Sequence, residues 1–166
     1  MHKNKDVDDM QKAIILTPDD TVEAVDYEGY TTIHNAVDGI YQTCGGTEWE
    51  NFNLTIFCNE EFLIRDDEQF DKLNAVASAI YGGEIRGNAV VLIDVETSDG
   101  IDSRGFEYAE NENCECSRFI KYAEAFIEYN KENLNELHQL MDGRENKSEP
   151  QGTVISVDDL SDLFRN

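Results

Sequence analysis

The chain has 166 residues, 40% of them hydrophobic, which is enough for one full core with an appendage and argues against wholesale disorder. Its 36 Asp and Glu against 13 Lys and Arg give a formal net charge of -23, which disfavours direct binding to nucleic acid or anionic lipid and favours cationic partners. No apolar run approaches a membrane span, and Met1-His2-Lys3-Asn4-Lys5 leads into acids where a signal segment would be apolar, so the expected location is the cytoplasm. Two explanations of the acidity stand side by side: solubility or a salt-adapted habitat, and a basic partner whose own surface holds DNA or RNA.

Residues 1–11 are charged and without period, and read as a flexible leader to a single domain over 12–143. Ala13-Ile14-Ile15-Leu16 is a strand closed by the turn Pro18-Asp19-Asp20, and residues 21–26 return as the second strand of a hairpin. Tyr30-Thr31-Thr32 opens a short helix with Ile33, Ala36, Val37 and Ile40 at one-sided spacing, which Asp38-Gly39 ends early so that Ile40 and Tyr41 begin the next element. Residues 42–51 read as a polar loop from which Trp49 folds back over the sheet. A second hairpin is expected from the strand Asn53-Leu54-Thr55-Ile56-Phe57-Cys58, the turn Asn59-Glu60-Glu61 and a return strand Phe62-Leu63-Ile64.

The stretch 69–96 is the best candidate for the centre of the core. Phe70, Leu73, Ala77, Ile80 and Tyr81 fall at helical spacing, Gly82-Gly83 stops the helix, and Ala89-Val90-Val91-Leu92-Ile93 follows as an apolar strand. Asn74 lies among the apolar helical positions, where its side chain would bond backbone of the adjoining loop and fix the helix against the sheet. Asp66, Asp67 and Glu68 precede the helix, where carboxylates favour a helix N-terminus; they lack the ligand spacing and central glycine of a calcium loop. Gly82, Gly83 and Gly87 do not form a phosphate loop.

Four cysteines, Cys44, Cys58, Cys114 and Cys116, read as free thiols, with Cys58 in the core; the one-residue gap between Cys114 and Cys116 is not a zinc-knuckle spacing. No nucleophile with a base, His-rich metal cluster or cofactor loop is present, so the expectation is a protein that is not an enzyme, with no catalytic or metal residues and no cofactor.

Gly39-Ile40-Tyr41, the extended pair around Asn59-Glu60-Glu61, Leu73-Asn74-Ala75-Val76-Ala77 and Ile85-Arg86-Gly87-Asn88-Ala89-Val90-Val91 together resemble the DUF3846 family, over about residues 12–93. That family comprises small uncharacterised domains of phages, plasmids and integrated elements. Relatives often carry a Gly-Gly-x-Ile/Leu-Glu stretch after the first helix, whereas this chain has Asp38-Gly39-Ile40-Tyr41 and lacks the glutamate. The resemblance implies a mobile-element setting, in which accessory proteins interfere with host enzymes, and no activity that transfers residue by residue.

Beyond the central strand, Asp94, Glu96, Asp99, Asp102, Glu107, Glu110, Glu112 and Glu115 are met by Arg104 alone. With Phe106 and Tyr108 among them, these carboxylates suit an imitation of a nucleic-acid backbone; a charged loop gives the same text. Residues 117–141 then read as the longest helix, with Phe119, Ile120, Ala123, Phe126, Ile127, Leu134, Leu137, Leu140 and Met141 at intervals of three and four, interrupted at Asn130. Residues 144–152 read as a linker, and 153–166 as a short strand and amphipathic helix that docks on its own domain or on a partner.

The sequence thus predicts an α+β domain with a mostly antiparallel sheet, covering helices and a long C-terminal helix. The expected function is an acidic non-enzymatic inhibitor from a phage or mobile element. It would occupy the basic nucleic-acid site of a host defence protein, such as a restriction or CRISPR nuclease, through the eight acids of 94–115 joined by Asp66, Asp67 and Glu68. The expected setting is the host bacterium's cytoplasm, without direct nucleic acid or membrane contact and with room for a homodimer. The alternative is an accessory protein that binds through apolar helix faces.

Overall fold

The computed structural model describes residues 10–142. In chain order these form β1 (Gln11–Leu16), β2 (Val22–Asp26), α1 (Tyr30–Val37), β3 (Tyr41–Trp49), β4 (Phe52–Asn59), a 3-10 turn (Glu68–Phe70), α2 (Ala75–Tyr81), β5 (Ala89–Thr97), β6 (Gly100–Arg104), β7 (Phe106–Glu107), α3 (Glu115–Tyr129) and α4 (Lys131–Met141). Most of the expected leader, the linker and the C-terminal tail lie outside the described residues.

One seven-stranded sheet runs β2-β1-β5-β4-β3, every pairing antiparallel. The apolar run from Ala89 sits at its centre because both of its faces are covered. Ile14, Leu16, Leu54, Ile56, Val91 and Ile93 face α2, α3 and α4, while Ala13, Ile15, Phe57, Val90 and Leu92 face α1 through Ile33 and Val37. The fold is the expected α+β arrangement, and its long C-terminal helix is jointed at Asn130. That residue leaves helical geometry, and its side-chain amide donates to the Phe126 carbonyl, so the polar interruption of the stripe marks the joint between α3 and α4.

Three local expectations are corrected. Residues 42–51 are mostly strand: β3 pairs with β4 along its length, with a bulge between Thr43 and Gly45 that hides the alternation. Phe62-Leu63-Ile64 is a turn, because the Ile64 and Arg65 amides donate to the Glu61 carbonyl and buried Phe62 anchors the segment inward. The central helix starts at Ala75, capped by Asn74, rather than at residue 69, and Phe70 belongs to the 3-10 turn.

Asn74 does what its position suggested, as a cap. Its Oδ1 accepts from the Ala77 amide, and its Nδ2 donates to the Leu16 and Gly87 carbonyls at 2.8 Å each, tying α2 to β1 and to the entry of β5. Gly87, at φ 80, is required there, since a Cβ would lie 2.5 Å from the Phe70 ring. The cysteines divide: Cys44, in the bulge of β3, is disulfide-bonded to Cys58 of β4, whereas Cys114 and Cys116 are free. The expectation of four thiols is thus wrong for the first pair, because the bulge turns Cys44 toward the neighbouring strand.

Candidate acidic interface

β5 outruns its neighbours. Its pairing with β1 ends at Val91 and with β4 at Ile93, and beyond that only β6 accompanies it, so 94–103 stand out from the sheet as a two-stranded hairpin turned between Thr97 and Gly100. Past Gly105 the same strand crosses to pair with Gln11 and Lys12 of β1, and residues 108–114 lead into α3. Half of the segment 94–115, for which a charged loop is the alternative reading, is therefore strand.

The hairpin and following loop display Glu96, Asp99, Asp102, Glu107, Glu110 and Glu112 as exposed side chains. Asp94 is half-buried and accepts a hydrogen bond from the Thr55 hydroxyl. Glu115 is different: it is 9% exposed, receives both arms of Arg104 at 2.8 and 3.1 Å, and accepts from the Glu107 amide at 2.9 Å. Burial pushes its carboxyl upward, but the Arg104 bonds and that amide outweigh it, and the net shift is downward. Glu115 is a fixed internal anion at the start of α3, and it consumes the one cation of the 94–115 segment.

Asp66, Asp67 and Glu68 are not part of this surface. They lie near the Gly87 end of β5, where Gln69 and Arg65 bond Asp38, while the hairpin lies at the other end, roughly 25 Å along a nine-residue strand. Asp67 pairs with Arg65 and makes no capping bond to the 3-10 turn that it precedes. The eleven candidates thus separate into an exposed set of six at one end, two engaged residues (Asp94 and Glu115) beside it, and three at the far end.

Arg86 carries no structural role in the sequence reading. Fully buried at 0% exposure, it donates to the Asp71 and Met141 carbonyls at 2.7 and 2.8 Å and pairs through Nε with Glu84, joining the end of α4 to the segment before α2. Its flanks Ile85 and Gly87 gave the only hint, an arginine inside an apolar run.

Most of the apolar stripe of the C-terminal helix is spent internally: Phe119, Ala123, Leu134, Leu137 and Met141 are buried and Ile120, Phe126 and Ile127 pack against them, whereas Leu140 is exposed. Trp49 likewise folds inward, its ring 5.2 Å from Phe119 and 5.8 Å from Phe106. Cys116 is buried, which pushes its thiol up to about 11; the partly exposed Cys114 caps α3, and although burial raises its thiol, bonds from Ser117 carry it below the ordinary value. An open polar cleft of about 610 Å³ is lined by Pro18, Asp19, Glu68, Gln69, Lys72, Gly87 and Asn88, and its one cation, Lys72, is paired with Asp19 at 2.9 Å. Among the described residues no group of three or more His, Cys, Asp or Glu is arranged to hold a metal ion, and no helix is long and apolar enough to cross a membrane.

No protein family, curated protein or solved structure matches this chain.

Proposed function

We propose that the protein is a non-enzymatic, acidic inhibitor that blocks a basic nucleic-acid-binding surface of a host defence protein, in the mobile-element setting that a likeness to DUF3846 domains implies. The observation that carries the reading is the protruding hairpin with its following loop. Six exposed carboxylates stand on a backbone held by β5, β1 and α3; the Arg104 guanidinium is committed to Glu115, and Arg118, which also donates to the Asn113 carbonyl, is paired with Glu50. Glu96 and Asp102, whose cross-strand partners are Ile101 and Val95, stand on opposite faces of a narrow two-stranded arm with Asp99 at its turn, so the arm offers negative charge on both faces to a positively charged groove, which holds phosphates by the same attraction. The reading uses Glu96, Asp99, Asp102, Glu107, Glu110 and Glu112; it leaves out Glu115, whose charge faces inward, and the Asp66, Asp67 and Glu68 group at the far end.

The test replaces these six by their amides in one variant and compares it with the natural chain as bait in host lysate, at low and at high salt. The expected result is capture of a nucleic-acid enzyme that DNA competes away and salt releases, lost in a variant that keeps its circular dichroism. Equal capture by both baits would sink the proposed surface.

A further inference from the structure

At the opposite end of the molecule, three aliphatic side chains face solvent on one corner: Ile40 at 60%, Leu63 at 49% and Ile64 at 80% exposure. They are held by a rigid frame. The Glu60 amide donates to the Ile40 carbonyl at 2.8 Å, which binds the turn after β4 to the entry of β3. Asn59, itself buried, donates to the Val37 and Asp38 carbonyls and accepts from the Glu61 amide. Arg65 closes the corner by donating to the Asp38 carbonyl at 2.7 Å and pairing with the carboxylates of Asp38 and Asp67. Because Phe62 is pinned in the core, the side chains of Leu63 and Ile64 are directed outward.

Singly exposed aliphatics are ordinary on protein surfaces, but three on one hydrogen-bonded corner present an organised apolar surface. Its surroundings identify the complement. Glu60, Glu61 and Asp66 are exposed, and among the described residues none of them is in an ion pair, while the corner's cation, Arg65, is engaged with Asp38 and Asp67. The chain's own C-terminal stretch carries Asp158, Asp159 and Asp162 beside Leu160, Leu163 and Phe164, and a second copy brings a net charge of -23, so both meet like charge here. We propose that the corner formed by Ile40, Leu63 and Ile64 docks a cationic amphipathic segment of another protein, with aliphatic side chains on the three residues and Lys or Arg toward Glu60, Glu61 and Asp66. This site is separate from the hairpin and does not require that the partner handle nucleic acid.

A suitable probe is a synthetic helical peptide with leucine along one face and lysine along the other, titrated into the full chain at low salt and at roughly 0.5 M NaCl, where exposed charge pairs are largely screened. The natural chain should keep measurable affinity at high salt, and Leu63→Ser with Ile64→Ser should weaken it roughly tenfold or more, about 1.4 kcal/mol, with circular dichroism unchanged. Ile40→Ser, on a different element, should weaken it in the same direction, and a peptide with serine for leucine should lose the salt-resistant part. Amide replacement of Glu96, Asp99 and Asp102 should leave that part intact, which separates this site from the hairpin. The proposal is overturned by equal affinities for the natural and serine variants, or by no binding to the natural chain. Self-association that the serine variant abolishes would overturn it in favour of a second copy, and exchange protection of 153–166 that the variant abolishes would do so in favour of the chain's own tail.

Discussion

His138 is bonded at both ring nitrogens to carboxylates, Nδ1 to Asp142 at 2.7 Å and Nε2 to Asp20 at 3.0 Å. A neutral imidazole has one N–H to donate, so the other nitrogen would turn a lone pair toward a carboxylate; only the imidazolium satisfies both. Burial pulls the His138 value down, but Asp20 and Asp142 outweigh it and the net shift is upward. The contact joins the turn after β1 to the end of α4, where Asp142 also accepts the Leu73 amide and where Arg86 holds the Met141 carbonyl. A folded-state value above the unfolded one, about 6.5, gives stability that is fully present below that pH and is lost as pH rises through the folded value. His138→Gln should therefore cost most at pH 6 and progressively less above neutrality in urea titrations. A constant difference across pH, or an NMR titration of the ring at or below its ordinary value, would rule out the imidazolium bridge. No local signal in the sequence joins His138 to Asp20, which is 118 residues away.

At the scale of elements, β3 and β4 are held both by their ladder and by the Cys44–Cys58 bond across the bulge. Closing a loop with a sequence separation of 14 residues removes unfolded-state freedom, and replacing both cysteines by serine should cost roughly 2–3 kcal/mol. Alkylation of the denatured chain without reductant should label Cys114 and Cys116 only, and all four cysteines after reduction; four labels at the outset would exclude the bond. Structural disulfides belong mainly to oxidising compartments, so this bond and the expected cytoplasmic location pull in opposite directions, and the same labelling on freshly lysed cells decides between them. Two of the misassigned stretches have separate local causes. Gly45-Gly46 with a bulge erased the period of β3, and the apolar run from Phe62 to Ile64 imitated a strand whose partner position was already filled by residues 41–49. Conversely, the helix after Asn74 and the strand from Ala89 were legible because stop residues and continuous apolar runs are local signals.

For the whole molecule the dominant fact is a net charge of -23, which opposes compaction. Raising NaCl from about 0.02 to about 0.5 M shortens the Debye length from roughly 20 Å to roughly 4 Å and should raise the thermal midpoint by several degrees. A midpoint that falls with salt would mean instead that attractive pairs such as Arg104–Glu115 and Arg118–Glu50 outweigh the repulsion. The sequence by itself determined the α+β class, the central position of the Ala89 strand, the glycine stop after α2 and the excess of acids over 94–115, because period, apolar runs and charge count are properties of neighbours along the chain. Only the tertiary structure decided which acids face outward, that Glu115 is internal, that Asp66, Asp67 and Glu68 stand at the far end of β5, that Cys44 meets Cys58, and that Ile40, Leu63 and Ile64 share a corner. Those outcomes depend on strand register and crossing, which bring together residues whose separation in sequence carries no signal of their contact.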